Sequence, residues 1–144
     1  MNSFTKLLND YANQYRNGCF IYRSGDKIKK VSQGCPDKYG VYVIYGVNNK
    51  SEVIYIGAAG TVDKHGNFKK QGIKGRISNT RNNNEAPDKY YRKILETHGY
   101  SYLKFKWFIT FDNTNKILPK FAEAKLIQYY YKEKRMLSKE NKEF

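Results

Sequence analysis

Acid is scarce in this chain: 13 Asp and Glu stand against 27 Lys and Arg, which leaves a formal charge of +14 on 144 residues. That imbalance argues against an enzyme of neutral substrates and points to a polyanion, with nucleic acid the leading partner. The plainer alternatives are solubility or adhesion to an anionic membrane surface. Histidine and cysteine are scarce too, with two of each. Cys19 and Cys35 sit in no metal-ligand spacing, so a zinc site built from these residue types is not expected, and the thiols suit a reducing compartment. Long apolar runs are also missing. The segment from Met1 to Asp10 has no apolar leader core, and no stretch approaches membrane-spanning length. The expectation is a cytoplasmic protein with no membrane partner. No internal repeat or low-complexity segment breaks the chain, and its length suits one domain with a single core.

Aromatic residues, by contrast, are abundant: 14 Tyr and 8 Phe. Most must be core, although such a density also suits contact with bases or sugars. Two short strings stand out, Gly40-Val41-Tyr42 and Tyr55-Ile56-Gly57. The Val-, Ile- and Tyr-rich run 40–46, the turn chemistry of Val47-Asn48-Asn49-Lys50 and the run 52–56 predict a β-hairpin. In it Tyr42 and Tyr55 lie near the same end and can point two phenols into one site.

Around the hairpin, Phe4, Leu7, Leu8, Tyr11 and Tyr15 recur at helical spacing, with Asn17-Gly18 as the expected C-cap. Cys19–Tyr22 and Lys27–Val31 read as two short strands about Ser24-Gly25-Asp26, so residues 1–37 form an N-terminal extension of helix plus hairpin before Pro36-Asp37. Helices are expected from near Ile73 to about Thr80 and from Pro87 to His98-Gly99. Residues 103–111 place Leu103, Phe105, Trp107, Ile109 and Phe111 on one face and form the clearest strand. A last helix runs from roughly Pro119 to Lys132. The fold class is α/β (α+β), a small three-stranded antiparallel sheet (40–46, 52–57, 103–111) flanked by helices.

Two charged residues separate themselves from the rest. Glu123 has Leu126, Ile127 and Tyr130 at i+3, i+4 and i+7, which puts it on the apolar face of its helix while Lys125, Gln128 and Lys132 line the other. A carboxylate facing a core costs several kcal/mol unless it is paired or holds a cation. A buried salt bridge is the ordinary alternative. Arg76 belongs to a run from Gly66 to Asn84 that carries Lys69, Lys70, Lys74 and Arg81 and no acid. It differs from these in lying between Gly75 and Ile77 at a helix start, behind a loop short enough to fold back over the end of the Tyr55 strand.

Read in order, Gly40-Val41-Tyr42, Tyr55-Ile56-Gly57, Gly72-Ile73-Lys74-Gly75-Arg76-Ile77, Ala122-Glu123-Ala124-Lys125-Leu126-Ile127 and Asn141 resemble the motifs of the GIY-YIG nuclease superfamily, over residues 38–144. The resemblance implies a nuclease domain there and a metal-dependent endonuclease that leaves 5′-phosphate and 3′-hydroxyl ends. It implies Glu123 as ligand of one Mg²⁺ or Mn²⁺, with Tyr42 and Tyr55 lining the site, one of them helping to deprotonate the attacking water. Arg76 would hold the scissile phosphate and Asn141 would orient groups near it. The chain departs from the pattern at Thr80, where many members have histidine, and at Ala58, where a polar residue is common. Asn141 lies three residues from the last residue of the sequence, and Met136 and Phe144 are the expected anchors of that tail.

The chemistry suits these residue types. A hard cation favours carboxylate oxygen and acts as a Lewis acid, and a guanidinium offers a planar, permanently charged fork that matches phosphate. Positive charge nearby makes a phenol a better proton acceptor. Lys69, Lys70, Lys74 and Arg81 would hold DNA backbone without reading sequence. Cutting both strands with one metal per site requires a homodimer, or two successive cuts, and specificity has to come from residues 1–37, from the loop 58–72 or from a partner protein. A catalytically inactive nucleic-acid-binding module and an RNase using the same site are the two rival readings.

Overall fold

The structure is a computed structural model that describes residues 2–68, 71–79 and 84–144. Helix α1 (Ser3–Gln14) leads into strand β1 (Arg16–Tyr22), the short helix α2 (Ile28–Val31), and the hairpin β2 (Tyr39–Val47) and β3 (Ser51–Ala59). Helices α3 (Ile73–Ser78) and α4 (Pro87–His98), strand β4 (Tyr102–Phe111) and helix α5 (Pro119–Lys134) follow. The four strands form one antiparallel sheet in the order β1-β4-β2-β3. Among the described residues no helix is long and apolar enough to cross a membrane.

Helices cover both faces of the sheet. On one face, α1 and α5 bury Phe4, Leu8, Leu126 and Ile127 against Val41, Val43, Ile56 and Phe108. On the other, α2, α3 and α4 bury Ile28, Ile73, Ile77 and Tyr91 against Tyr42, Ile44, Phe105 and Trp107. Leu103, Phe105, Trp107 and Ile109 share this second face, as the alternation along the strand predicts, and Trp107 is buried.

The expectation of three strands is corrected to four. Residues 16–22 do not turn into a local hairpin but pair with β4, from Arg16 opposite Ile109 to Tyr22 opposite Leu103. Residues 28–31 are helical rather than extended. The reason is tertiary: the Ile28 amide donates to the Asp88 carboxylate of α4 at 2.7 Å, the same oxygen receives the Tyr22 hydroxyl, and the Ile28 side chain is fully buried. Asn17-Gly18 is not the C-cap of α1 but lies inside β1: Tyr15 caps the helix, its amide donating to the Tyr11 carbonyl, and the Asn17 side-chain amide donates to the Ala12 and Tyr15 carbonyls. The other helix limits fall close to expectation. Gly99 ends α4 in the left-handed conformation at φ 69°.

The hairpin contains a feature the pattern of residues does not show. Ile44 lies opposite Tyr55 and Tyr45 opposite Val53, so Ile54 is an extra residue, a β-bulge. β3 is an edge strand, and the C-terminal tail covers it. The Glu140 amide donates to the Ile54 carbonyl at 2.8 Å, and Asn141 pairs with both backbone groups of Ile56. Met136 and Phe144 are not the anchors: both are exposed, at 63% and 72%. Polar contacts hold the tail instead. The Ser138 hydroxyl bonds to the Asn141 side chain, Lys139 pairs with Glu52 at 2.6 Å, and His98 meets Glu140 at 3.3 Å. The reason is geometric, since an open strand edge offers unpaired amides and carbonyls that a polar tail satisfies and a lone Phe does not.

Candidate functional site

At the β3 edge four parts of the chain meet in a cleft of about 520 Å³. Tyr55 comes from β3, Arg76 from α3, Lys120 and Glu123 from α5, and Asn141 from the tail. The cleft thus draws on helices from opposite faces of the sheet, because α3 and α5 both pack beside the same edge strand.

Tyr42 lies opposite Gly57 on the face that carries Tyr55, and the two phenol rings stand 5.8 Å apart. Gly57 makes their approach possible: a Cβ there would sit 2.5 Å from Tyr55 Cε2 and 2.8 Å from Tyr42 Cζ. The two tyrosines differ in access. Tyr55 lines the cleft, whereas Tyr42 is 1% exposed and does not. Both phenols act electrostatically on the Arg76 guanidinium. Burial of the guanidinium alone pulls its pKa down, but Tyr42 and Tyr55 outweigh that and hold it above the ordinary value. Arg76 stays a cation, and its side chain keeps enough exposure to meet a ligand.

Local contacts fix where Arg76 points. The Ile73 amide donates to the Lys38 carbonyl at 2.8 Å and the Gly75 amide to Asp37 Oδ1 at 2.9 Å, which ties the start of α3 to the residues just before β2. Tyr91 of α4 donates to the Ile77 carbonyl at 2.8 Å. Helix α3 is thus held from both sides, with Arg76 between the two attachments.

Glu123 lies on the buried face of α5 with Ala122, Leu126 and Ile127. Its direct ionic partner is Lys120, one helical turn earlier, at 3.5 Å, and that lysine is 71% exposed. Burial raises the Glu123 pKa, and the opposing pulls of Lys120 and Arg76 do not cancel it. The salt bridge expected as the ordinary alternative therefore exists but leaves the carboxylate undercompensated. Lys120 is a site residue the sequence reading missed. Its signal was there, since i−3 from Glu123 shares a helix face.

Asn141 reaches the cleft, but its amide is engaged. Ile56 donates to Asn141 Oδ1 at 2.9 Å, and Asn141 Nδ2 donates to the Ile56 carbonyl at 3.0 Å. Its observed role is to clamp the tail to β3. Asn141→Ala removes both bonds to β3 and the one from Ser138, and is expected to cost about 2 kcal/mol. An unchanged midpoint in guanidinium denaturation would show that the tail contributes no such clamp.

Of the predicted backbone contacts, Lys74 is half-buried on α3. Lys69, Lys70 and Arg81, like Thr80, lie outside the described residues. His65 is exposed, away from the cleft. Among the described residues no group of three or more His, Cys, Asp or Glu side chains is placed to hold a metal.

The model of the family described as Uncharacterised protein family (UPF0128) matches residues 28–142. The chain belongs to UPF0128. No curated protein and no solved structure matches it. This UPF0128 assignment overturns the resemblance to the GIY-YIG nuclease superfamily. The reason the motifs misled is physical. Glycine beside paired tyrosines meets a packing need of this hairpin, and a carboxylate on an apolar helix face recurs for many causes, so short strings of this kind carry little family information.

Proposed function

We propose that this protein is a divalent-metal-dependent DNA endonuclease that hydrolyses phosphodiester bonds to leave 5′-phosphate and 3′-hydroxyl ends. The observation that carries the reading is the cleft itself. A permanently charged guanidinium, an accessible phenol and an undercompensated buried carboxylate line one cavity in a chain of charge +14. An arginine fork matches a phosphate, and a chain of charge +14 draws in a polyanion.

The donor set fits Mg²⁺ or Mn²⁺ in one way only. A single buried carboxylate is too little to cage an ion, but it suits a hard cation that keeps most of its waters and shares the substrate's phosphate oxygens. Glu123 would hold that ion, which when bound supplies Lewis-acid stabilisation of the phosphoryl charge. The protein's own groups do the rest. Arg76 binds the phosphate and meets the charge that develops on it. Tyr55, at the cleft wall beside Arg76, takes a proton from the attacking water as its own phenol proton passes to solvent. The water oxygen bonds to phosphorus, the P–O3′ bond breaks, and O3′ takes a proton from solvent. Tyr42, buried below, keeps the guanidinium aimed. Lys120, beside Glu123, contacts backbone phosphate.

The proposal includes a cytoplasmic location, which the two unpaired thiols Cys19 and Cys35 suit, and a homodimer or a partner protein if both strands are cut at one place. The second reading, a binding module without catalysis, has the Lys120–Glu123 contact in its favour. Supercoiled plasmid separates the two. Nicking or linearisation with Mg²⁺ or Mn²⁺, abolished by EDTA, is the expected result. Salt-sensitive DNA binding with no cleavage in either metal would instead favour the binding module. Single-stranded RNA in the same assay tests the RNase reading.

A further inference from the structure

A second cavity, of about 490 Å³, opens where the start of β2 meets the end of β4. Its volume falls in the range of about 300–1,000 Å³ typical of small-ligand sites. Three aromatic rings form its wall: Tyr39 and Phe68 stack at 3.9 Å with planes 6° apart, and Phe68 meets the edge of Phe111 at 4.8 Å. Three exposed cations stand around it, Arg16, Lys38 and Lys116, and the Lys116 ammonium lies 5.2 Å from the centre of the Phe111 ring. The one acid there, Asp112, accepts the amides of Thr114 and Asn115 at 2.9 and 2.8 Å, so its charge is answered within its own turn.

This cavity and the cleft lie on either side of a short stretch of backbone around Gly60. A smaller one, of about 120 Å³, shares Ala58, Arg76 and Lys120 with the cleft and continues along Gly60 and Thr61. Gly60 adopts φ +113° and lies against both rings of the stacked pair: a Cβ there would stand 2.9 Å from Tyr39 Cδ1 and 3.0 Å from Phe68 Cε1. The aromatic wall thus stands directly behind Gly60, and Gly60 lines the small cavity that reaches Arg76.

We infer that the cavity walled by Tyr39, Phe68 and Phe111 is a subsite for one unpaired nucleobase of the DNA strand whose phosphate lies at Arg76. Aromatic faces accept any base by stacking, and cations around them hold the flanking phosphates; together they select an unstacked nucleotide. A base inside an intact duplex has no free face to offer. The subsite therefore biases the enzyme toward single-stranded, frayed or distorted DNA. The inference rests on the cleft binding phosphate, and its test does not require turnover.

Anisotropy of a fluorescein-labelled oligothymidylate and of a labelled duplex is measured in EDTA with wild type, Phe111→Leu and Phe68→Leu. Leucine keeps apolar bulk and removes the π face. Each variant should bind the single strand about tenfold more weakly and the duplex with little change. An unchanged single-strand Kd, or equal losses on both substrates, overturns the subsite. If a variant fails to fold, wild-type protein photocrosslinked to 5-iodouracil-containing single strand decides. Adducts on Tyr39, Phe68 or Phe111 support the subsite, and adducts found only elsewhere overturn it. Loss of the stacking effect with metal-dependent cleavage intact removes the subsite alone. A tenfold effect in a protein that never cleaves keeps the subsite and removes the nuclease.

Discussion

Glu123→Gln is expected to lower plasmid cleavage by about a thousandfold while leaving DNA binding nearly unchanged. The amide has the shape of the carboxylate but neither its charge nor its affinity for a hard cation. Folding should not suffer. Burial raises the Glu123 pKa, so this group stabilises the fold below its unfolded pKa and loses that contribution as pH rises through the folded value. At neutral pH the ionised side chain is a burden, lightened by Lys120 and Arg76, and a neutral glutamine should give an equal or higher melting temperature. The same shift makes protons compete with the cation for Glu123, so the metal concentration needed for half-maximal cleavage should rise as pH falls. Retained cleavage in the Gln variant would remove Glu123 from the mechanism; a large fall in melting temperature would make it a structural ion pair instead.

Arg76→Lys should cost about a hundredfold in turnover. Charge is conserved, but the guanidinium has two tyrosine partners and still presents donors to the cleft, which one ammonium on a flexible stem does not reproduce. Single-turnover cleavage at saturating protein reads the loss in the chemical step, and anisotropy in EDTA reads binding. The expected pattern is a rate loss far larger than the loss of affinity. If both fall equally and slightly, Arg76 is one backbone contact among many. Tyr42 gives a useful contrast, since it reaches the cleft only through Arg76.

Several elements were legible before the structure because their cause is local. The alternation along 103–111 gives β4, Pro87 and Gly99 bracket α4, and the turn at 47–50 sets the hairpin. Glu123 reads as buried because helix geometry alone puts it with Leu126 and Ile127. The errors share a different cause. Residues 28–31 form a helix because Asp88, sixty residues away, takes the Ile28 amide. Residues 16–22 join the sheet because β4 has a free edge to pair. The family assignment failed where short strings were given more weight than they carry.

The sequence by itself determined the charge, the alternating and helical periods, the hairpin with its two phenols, and the burial of Glu123. All of these follow from composition or from neighbours a few residues apart. Only the tertiary structure decided that Tyr55 is accessible while Tyr42 is sealed, and that the Asn141 amide is engaged with the β3 edge. It likewise decided that Lys120 joins Glu123, and that Tyr39, Phe68 and Phe111 wall one cavity. Access and partnership depend on which distant surfaces come to pack together, and no local period encodes that.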